Sequence, residues 1–241
     1  MANQLSSIQL QRTLQMASVF VRQAPLTNVG GFALEPGFSI ADWVRQFILA
    51  PPFAWRWNRA VATFQTAQAQ QDYSVSIPAP GLGWIEKATV NDGVVHELEV
   101  ALNLSEESGQ ELPTKIAARL DDGLGNITFR LTPVPPKVYT VTVTYQKAAP
   151  TFVNLTDTWQ PIPDYLSFLF NTGVLAKAYE YWSDERYPFT MQLFMRQVIA
   201  ANEGLTESQV NLFLSERVNT ARQMNGQMGN NQAGRQGRGG F

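Results

Sequence analysis

Along residues 138–145 polar and apolar positions alternate without a break. Tyr139, Val141, Val143 and Tyr145 fall on one side, and Val138, Thr140, Thr142 and Thr144 on the other. That period of two predicts an antiparallel strand buried on one face. Ile127, Phe129 and Leu131 alternate in the same way upstream, and Pro133, Pro135 and Pro136, which cannot continue a ladder, separate the two runs. Tyr73, Val75 and Ile77 precede a turn at Pro78, Pro80, Gly81 and Gly83. Residues 85–90, 94–104, 116–120 and 126–131 read as further strands, broken at Asn91-Asp92-Gly93, Ser108-Gly109 and Asp121-Asp122-Gly123. Six or seven short strands predict a small antiparallel β-sandwich or barrel.

On both sides of this region the apolar period lengthens to that of a helix. Within 4–23, Leu10, Leu14, Ala17 and Val21 share one face, which Met16 and Phe20 widen, and Pro25 stops the run. The glycine-rich 28–37 follows no strand and so lacks the setting of a phosphate-cradling loop. Ser39 is placed to cap a helix over 40–49 with Ile40, Val44, Phe47 and Ile48 as its apolar stripe. Pro51 and Pro52 end it, and Phe53, Trp55 and Trp57 are large enough to fasten one layer onto another. After Pro163, Asp164 can cap a helix carrying Leu166, Leu169, Phe170, Val174, Leu175, Ala178 and Trp182. Phe189, Leu193, Phe194, Val198 and Ile199 mark another, stopped near Gly204. Thr206 and Gln209 form a capping box for a third with Val210, Leu212, Phe213, Leu214 and Val218.

The predicted fold class is α+β. An antiparallel helical bundle from 1–58 and 160–224 carries the small β-sandwich or barrel as an insertion at 59–159, and 225–241 form an extended, flexible C-terminal tail.

Composition narrows the chemistry. The chain has 241 residues, 44% of them hydrophobic, enough to bury a core. With no cysteine and the single histidine His96, thiolate and histidine metal sites and a histidine triad are not expected. No run approaches the roughly 20 apolar residues of a membrane span, and no secretory pattern opens the chain, so folding in a cytoplasm is expected. A net charge of -2 argues against a surface built to neutralise phosphates. The distribution is uneven, however. After Glu216 there is no acidic residue, while Arg217, Arg222, Arg235 and Arg238 remain, and only Met224, Met228, Ala233 and Phe241 interrupt the polar and glycine-rich run from Gln223. Such a tail cannot offset its own ordering entropy and should order only on a partner.

Local groupings of acids have simple readings. Asp121, Asp122, Gly123 and Asn126 look like a calcium loop, but Thr132 stands where a bidentate Glu is required, so a hairpin turn is expected. Glu106, Glu107 and Glu111 form a solvated rim rather than the opposed acids of glycoside cleavage. His96 has no partner at a telling spacing, and two arginines among glycines are too few for an RNA-binding repeat. No catalytic residue, cofactor or metal is expected.

Residues 135–145, Gln146-Lys147, the run Trp159-Gln160-Pro161-Ile162-Pro163 and the series Gly173, Ala176, Ala178, Tyr179, Tyr181, Asp184 and Arg186 form a pattern, with Trp57-Asn58 ahead of the strands. In it the chain resembles, over most of its length, the head-to-tail adaptor proteins of tailed bacteriophages, above all the tail tubular protein A type of short-tailed phages. The resemblance implies a non-enzymatic virion protein of the neck, made in the host cytoplasm and without a membrane partner. It implies a homo-oligomeric ring, commonly of about twelve copies, beneath the portal protein. Helical bundles would pack side by side, the β-domain would face outward or toward the tail, where a tail nozzle or other tail protein is the partner, and the ring would line the DNA exit channel without sequence recognition. A portal-docking tail would use Arg217, Arg222, Met224, Met228, Arg235, Arg238 and Phe241, although the ending 238–241 departs from the family pattern. The competing reading is a carbohydrate- or receptor-binding β-sandwich. It demands an exposed aromatic platform, whereas Tyr139 and Tyr145 share the face of Val141 and Val143 and should be buried.

Overall fold

The computed structural model describes residues 6–21, 34–106 and 109–202. In chain order the elements are α1 (Leu10–Val21), α2 (Leu34–Leu49), β1 (Arg59–Gln65), β2 (Asp72–Ser76), β3 (Leu82–Asn91), β4 (Val95–Val100), β5 (Lys115–Asp121), β6 (Asn126–Thr132), β7 (Thr140–Lys147), a 3-10 turn at Asp164–Leu166, α3 (Ser167–Tyr181) and α4 (Tyr187–Ala201). All seven strands belong to one sheet, ordered β1-β7-β3-β4-β5-β6-β2, which curls into a nearly closed barrel. The α+β class holds, but the expected dominance of a helical bundle does not: among the described residues four helices share the chain with an equally substantial barrel. The sheet is also not wholly antiparallel, because β4 and β5 run parallel. Strand β4 stops at Val100 rather than reaching 104, and the long excursion over 101–114 gives the chain room to return in the same direction.

Strand β7 lies between β1 and β3. Tyr139, Val141, Val143 and Tyr145 are all buried, as the alternation requires, while Val138 is exposed. They meet Ala88 and Val90 of β3, Leu98 of β4, Ile116 of β5 and Ile127, Phe129 and Leu131 of β6 in one core. The turns are closed by their own side chains. Asn91 Oδ1 accepts from the Gly93 N–H (2.9 Å), and Gly93 takes φ +114°, a conformation costly to any residue with a Cβ. Asp122 accepts from the N–H groups of Leu124 (2.7 Å) and Asn126 (2.9 Å), as in the expected hairpin turn.

In the helical layer, Leu10, Leu14, Ala17 and Val21 of α1 and Ile40, Val44, Phe47 and Ile48 of α2 are buried as read. Phe20, expected to widen the face of α1, is instead 54% exposed. Thr13 occupies that flank, buried because its Oγ1 accepts from Trp159 Nε1 (3.0 Å). Helix α2 begins at Leu34, with Pro36 in its first turn where no N–H is needed, so Ser39 lies inside the helix and does not cap it. Asp164 is not a cap either. It accepts from Ser6 Oγ (2.8 Å), Ser7 Oγ (2.6 Å) and Ser7 N (3.0 Å), fastening the segment before α1 to the start of α3.

Helix α3 is the centre of this layer. Phe170 stacks on Trp159 (centroids 4.5 Å, planes 4° apart), and Phe152 meets the same indole edge-on at 5.0 Å. At Gly173 a Cβ would lie 2.7 Å from Val44 Cγ1 and 2.9 Å from Phe194 Cε2, so the missing side chain lets α2 and α4 close on α3. Helix α4 buries Thr190, Met191, Phe194 and Val198, and leaves Phe189 (74%) and Leu193 outside, contrary to the expected stripe. The expected helix after Thr206, the tail 225–241, residues 28–33, Glu107 and Ser108 lie outside the described residues.

The two layers join at the end of α2. Trp55 Nε1 donates to Ile48 O (2.6 Å), and Trp84 Nε1, from β3, donates to Leu49 O (3.1 Å). The Trp55 N–H donates to Oε1 of the fully buried Gln146 on β7 (3.2 Å), and Asn202 Nδ2 reaches back to Ala54 O (3.2 Å). Of the aromatics expected to fasten the layers, Trp55 does so and Trp84 adds to it; half-buried Trp57 stacks on Trp55 (5.3 Å), and Phe53 packs on Phe47 (6.0 Å) within the helical layer.

Two outcomes follow from these contacts. Gly173→Ala gains about 1 kcal/mol of helix propensity. The added methyl overlaps a stiff valine and a buried ring, which costs about 1–3 kcal/mol. Urea unfolding should therefore show a destabilised variant, and unchanged or higher stability would mean that α2 and α4 can part. For Asp164, hydrogen bonds led by that from Ser7 hold the folded pKa below the ordinary value. Its stabilisation is complete above the unfolded pKa of about 4 and is lost as pH falls through the lower folded value. Asp164→Asn should lower Tm at neutral pH and flatten the fall of Tm below about pH 4. An unaltered acid slope would contradict this.

Candidate interaction surface

The carboxylates are engaged rather than poised. Arg130 Nε and Nη2 grip Asp72 at 2.7 and 2.6 Å and Arg119 adds a bond at 2.8 Å, so Asp72 titrates below the usual range. Asn126 holds Asp122 down, the backbone N–H of Asn154 does so for Asp157, and Arg186 brings Asp184 to about 2. Among the described residues every displaced carboxylate pKa moves downward, the opposite of what a general acid requires. Glu106 is exposed 3.5 Å from Arg130, the arginine that also holds Asp72. His96, half-buried, does have a partner, Asp92 four residues earlier at 3.2 Å, contrary to the expectation from spacing.

The most unusual ionised group is internal. Arg45, 2% exposed, places its Cζ 3.4 Å from the centroid of the Phe152 ring and donates from Nη1 to Gln160 O (3.1 Å). Asp42 lies 3.6 Å away and also accepts from the Phe152 N–H (2.8 Å). Burial pulls the Arg45 pKa down to about 10, which leaves it charged at neutral pH. This cation ties α2 to the segment before α3. A shallow open depression beside it, lined by Phe38, Ser39, Asp42, Trp43, Gln46 and Phe152, has its one carboxylate already committed.

What the surface does offer is apolar area. Val19 and Phe20 on α1, Tyr165 and Phe168 at the start of α3, and Phe189 and Leu193 on α4 are exposed. On the barrel the exposed large side chains are aliphatic, with Val94 and Val95 at one turn, Leu102 on the long excursion and Leu124 (87%) at another turn. Tyr139 and Tyr145 are buried, so they form no glycan platform. Exposed apolar side chains of this kind are available for protein contacts.

The portal-docking residues read from sequence, Arg217, Arg222, Met224, Met228, Arg235, Arg238 and Phe241, all lie outside the described residues. Sequence reasoning missed Arg45 and Trp84, and named Trp159 only within the family pattern, not for its packing. Each finds partners far along the chain, and only the oddity of a charge at a core position of α2 could have pointed to the first.

Among curated proteins, none matches the chain. The family model described as SU10 adaptor protein matches residues 21–224, from the last residue of α1 through both layers and beyond α4. On that match the chain belongs to the SU10 adaptor protein family, phage head-to-tail adaptors of the virion.

Proposed function

We propose that the chain forms a homo-oligomeric ring of about twelve copies that joins the portal protein to the tail and surrounds the path of the DNA. The observation that carries this reading is the outward apolar character of both layers, with Phe20, Phe189 and Leu193 on the helices and Leu102 and Leu124 on the barrel. Such side chains gain by being covered, and a ring covers them copy against copy. The helical part, 1–58 and 160–224, supplies the lateral faces, and the barrel within 59–159 turns toward a tail nozzle or other tail protein. Residues 225–241, with Arg217 and Arg222 ahead of them, dock on the portal. Their arginines meet acidic portal surface while Met224, Met228 and Phe241 fill apolar clefts. DNA passes without sequence recognition, since a chain of net charge -2 offers little to hold phosphates.

Removing residues 224–241 should leave the far-ultraviolet helical signal intact and weaken portal binding at least about tenfold, a loss of about 1.4 kcal/mol or more. Full portal binding by the truncated chain would refute the docking role. Mixed with portal, the intact chain should appear in electron micrographs as a closed ring. Isolated copies along a fibre would refute the ring.

A further inference from the structure

The barrel has one seam. Strands β1 and β2 are the two ends of the sheet, and over most of their length their Cα atoms stand more than 8 Å apart. Paired strands lie about 4.8 Å apart, so β1 and β2 stand too far apart over most of their length to pair with each other. Behind it Phe64 lies against Tyr73 (5.3 Å) and Phe129 (5.8 Å), so side chains close the interior where the backbones do not.

The ladders fix which groups face the seam. Thr66 N donates to Tyr139 O and Lys147 N to Asn58 O, so the even positions of β1 are the ones that exchange hydrogen bonds with β7. The N–H and C=O groups of Arg59, Val61, Thr63 and Gln65 therefore turn the other way. On β2, Leu131 N donates to Gln71 O and Ile77 N to Gly125 O, which turns Ser74 and Ser76 outward by the same alternation. Neither edge is guarded by a lysine, a proline or a bulge. The charges stand only at the strand ends and are committed, Arg59 to Glu86 and Asp72 to Arg130 and Arg119.

We propose that the seam accepts an extended, uncharged polypeptide strand from another virion protein, with small apolar residues at alternate positions over Ala60, Phe64 and Val75, completing an eight-stranded barrel. Because β1 and β2 run in opposite directions, the inserted strand is antiparallel to one edge and parallel to the other. By composition the rest of this chain is a poor source for it. Residues 225–241 are rich in Gly, Gln and Asn, 206–218 repeat at helical spacing, 22–33 are broken by Pro25, Gly30 and Gly31, and 1–5 are too short. The origin of the strand rests on the adaptor reading; the seam itself does not.

The test is hydrogen–deuterium exchange on the full chain, free and within purified particle necks, with electron cryomicroscopy of the same necks. The amides of Val61, Thr63, Ser74 and Ser76 should exchange freely in the isolated chain and slow at least about a hundredfold in the neck. The map should then show a strand of a different protein between β1 and β2. Thr63→Pro removes one seam donor but no bond to β7, so it should fold, yet enter necks at least about tenfold less well. Thr63→Val, which keeps the N–H, should behave as the parent. Unchanged exchange in necks that contain the chain overturns the proposal and leaves the adaptor reading standing. So does a seam filled by a second copy or by residues 203–241. A chain absent from the necks overturns both.

Discussion

The end of α2 is the point on which the architecture depends. The last carbonyls of a helix lack intrahelical partners, and the following few N–H groups usually satisfy them. Here the chain continues as Ala50-Pro51-Pro52, and the two prolines have no N–H to give. Trp55 and Trp84 supply the donors instead, to Ile48 O and Leu49 O. Because Trp84 belongs to β3, completing the helix end requires the barrel wall to stand against it. Gln146 extends the junction to β7, with its buried amide bonded to the Trp55 backbone and to Glu86 (3.0 Å). Helical layer and barrel are thereby held in one relation.

Much of this was legible where the determining interactions are local. The alternation over 138–145 marked the barrel's inner face because each strand buries one side, and the Asx residues around Gly93 and Gly123 declared their turns. Helix faces were legible where a stripe was unmixed, as on α2. The reading went astray on α4 because Phe189 and Leu193 are apolar yet face outward. Sequence alone does not separate an apolar residue that packs within the chain from one that awaits another chain. The contacts of Trp159 and Arg45 were illegible for a different reason: their partners, Thr13 and Gln160, lie 146 and 115 residues away. The candidate site divides likewise. That Asp122 serves a turn was readable from spacing alone, whereas the basic tail was visible only as composition, and its residues lie outside the described structure.

The same features suit a member of a structural adaptor family. Each displaced acid is held down by donors that fix a turn, a clasp or an ion pair, and the buried cation Arg45 is spent on carbonyls and on the face of Phe152. The polar chemistry of the fold goes into rigidity, while apolar side chains and unpaired strand edges are left at the surface. Edges and patches of this kind are a liability in a solitary protein and an asset in one whose partners cover them.

Calorimetry of the full chain tests the central claim, that junction and layers form one cooperative block, most directly. The account predicts a single transition for helical layer and barrel together, with calorimetric and van't Hoff enthalpies in agreement. Two resolved transitions, one following loss of helix signal and the other loss of strand signal, would contradict it.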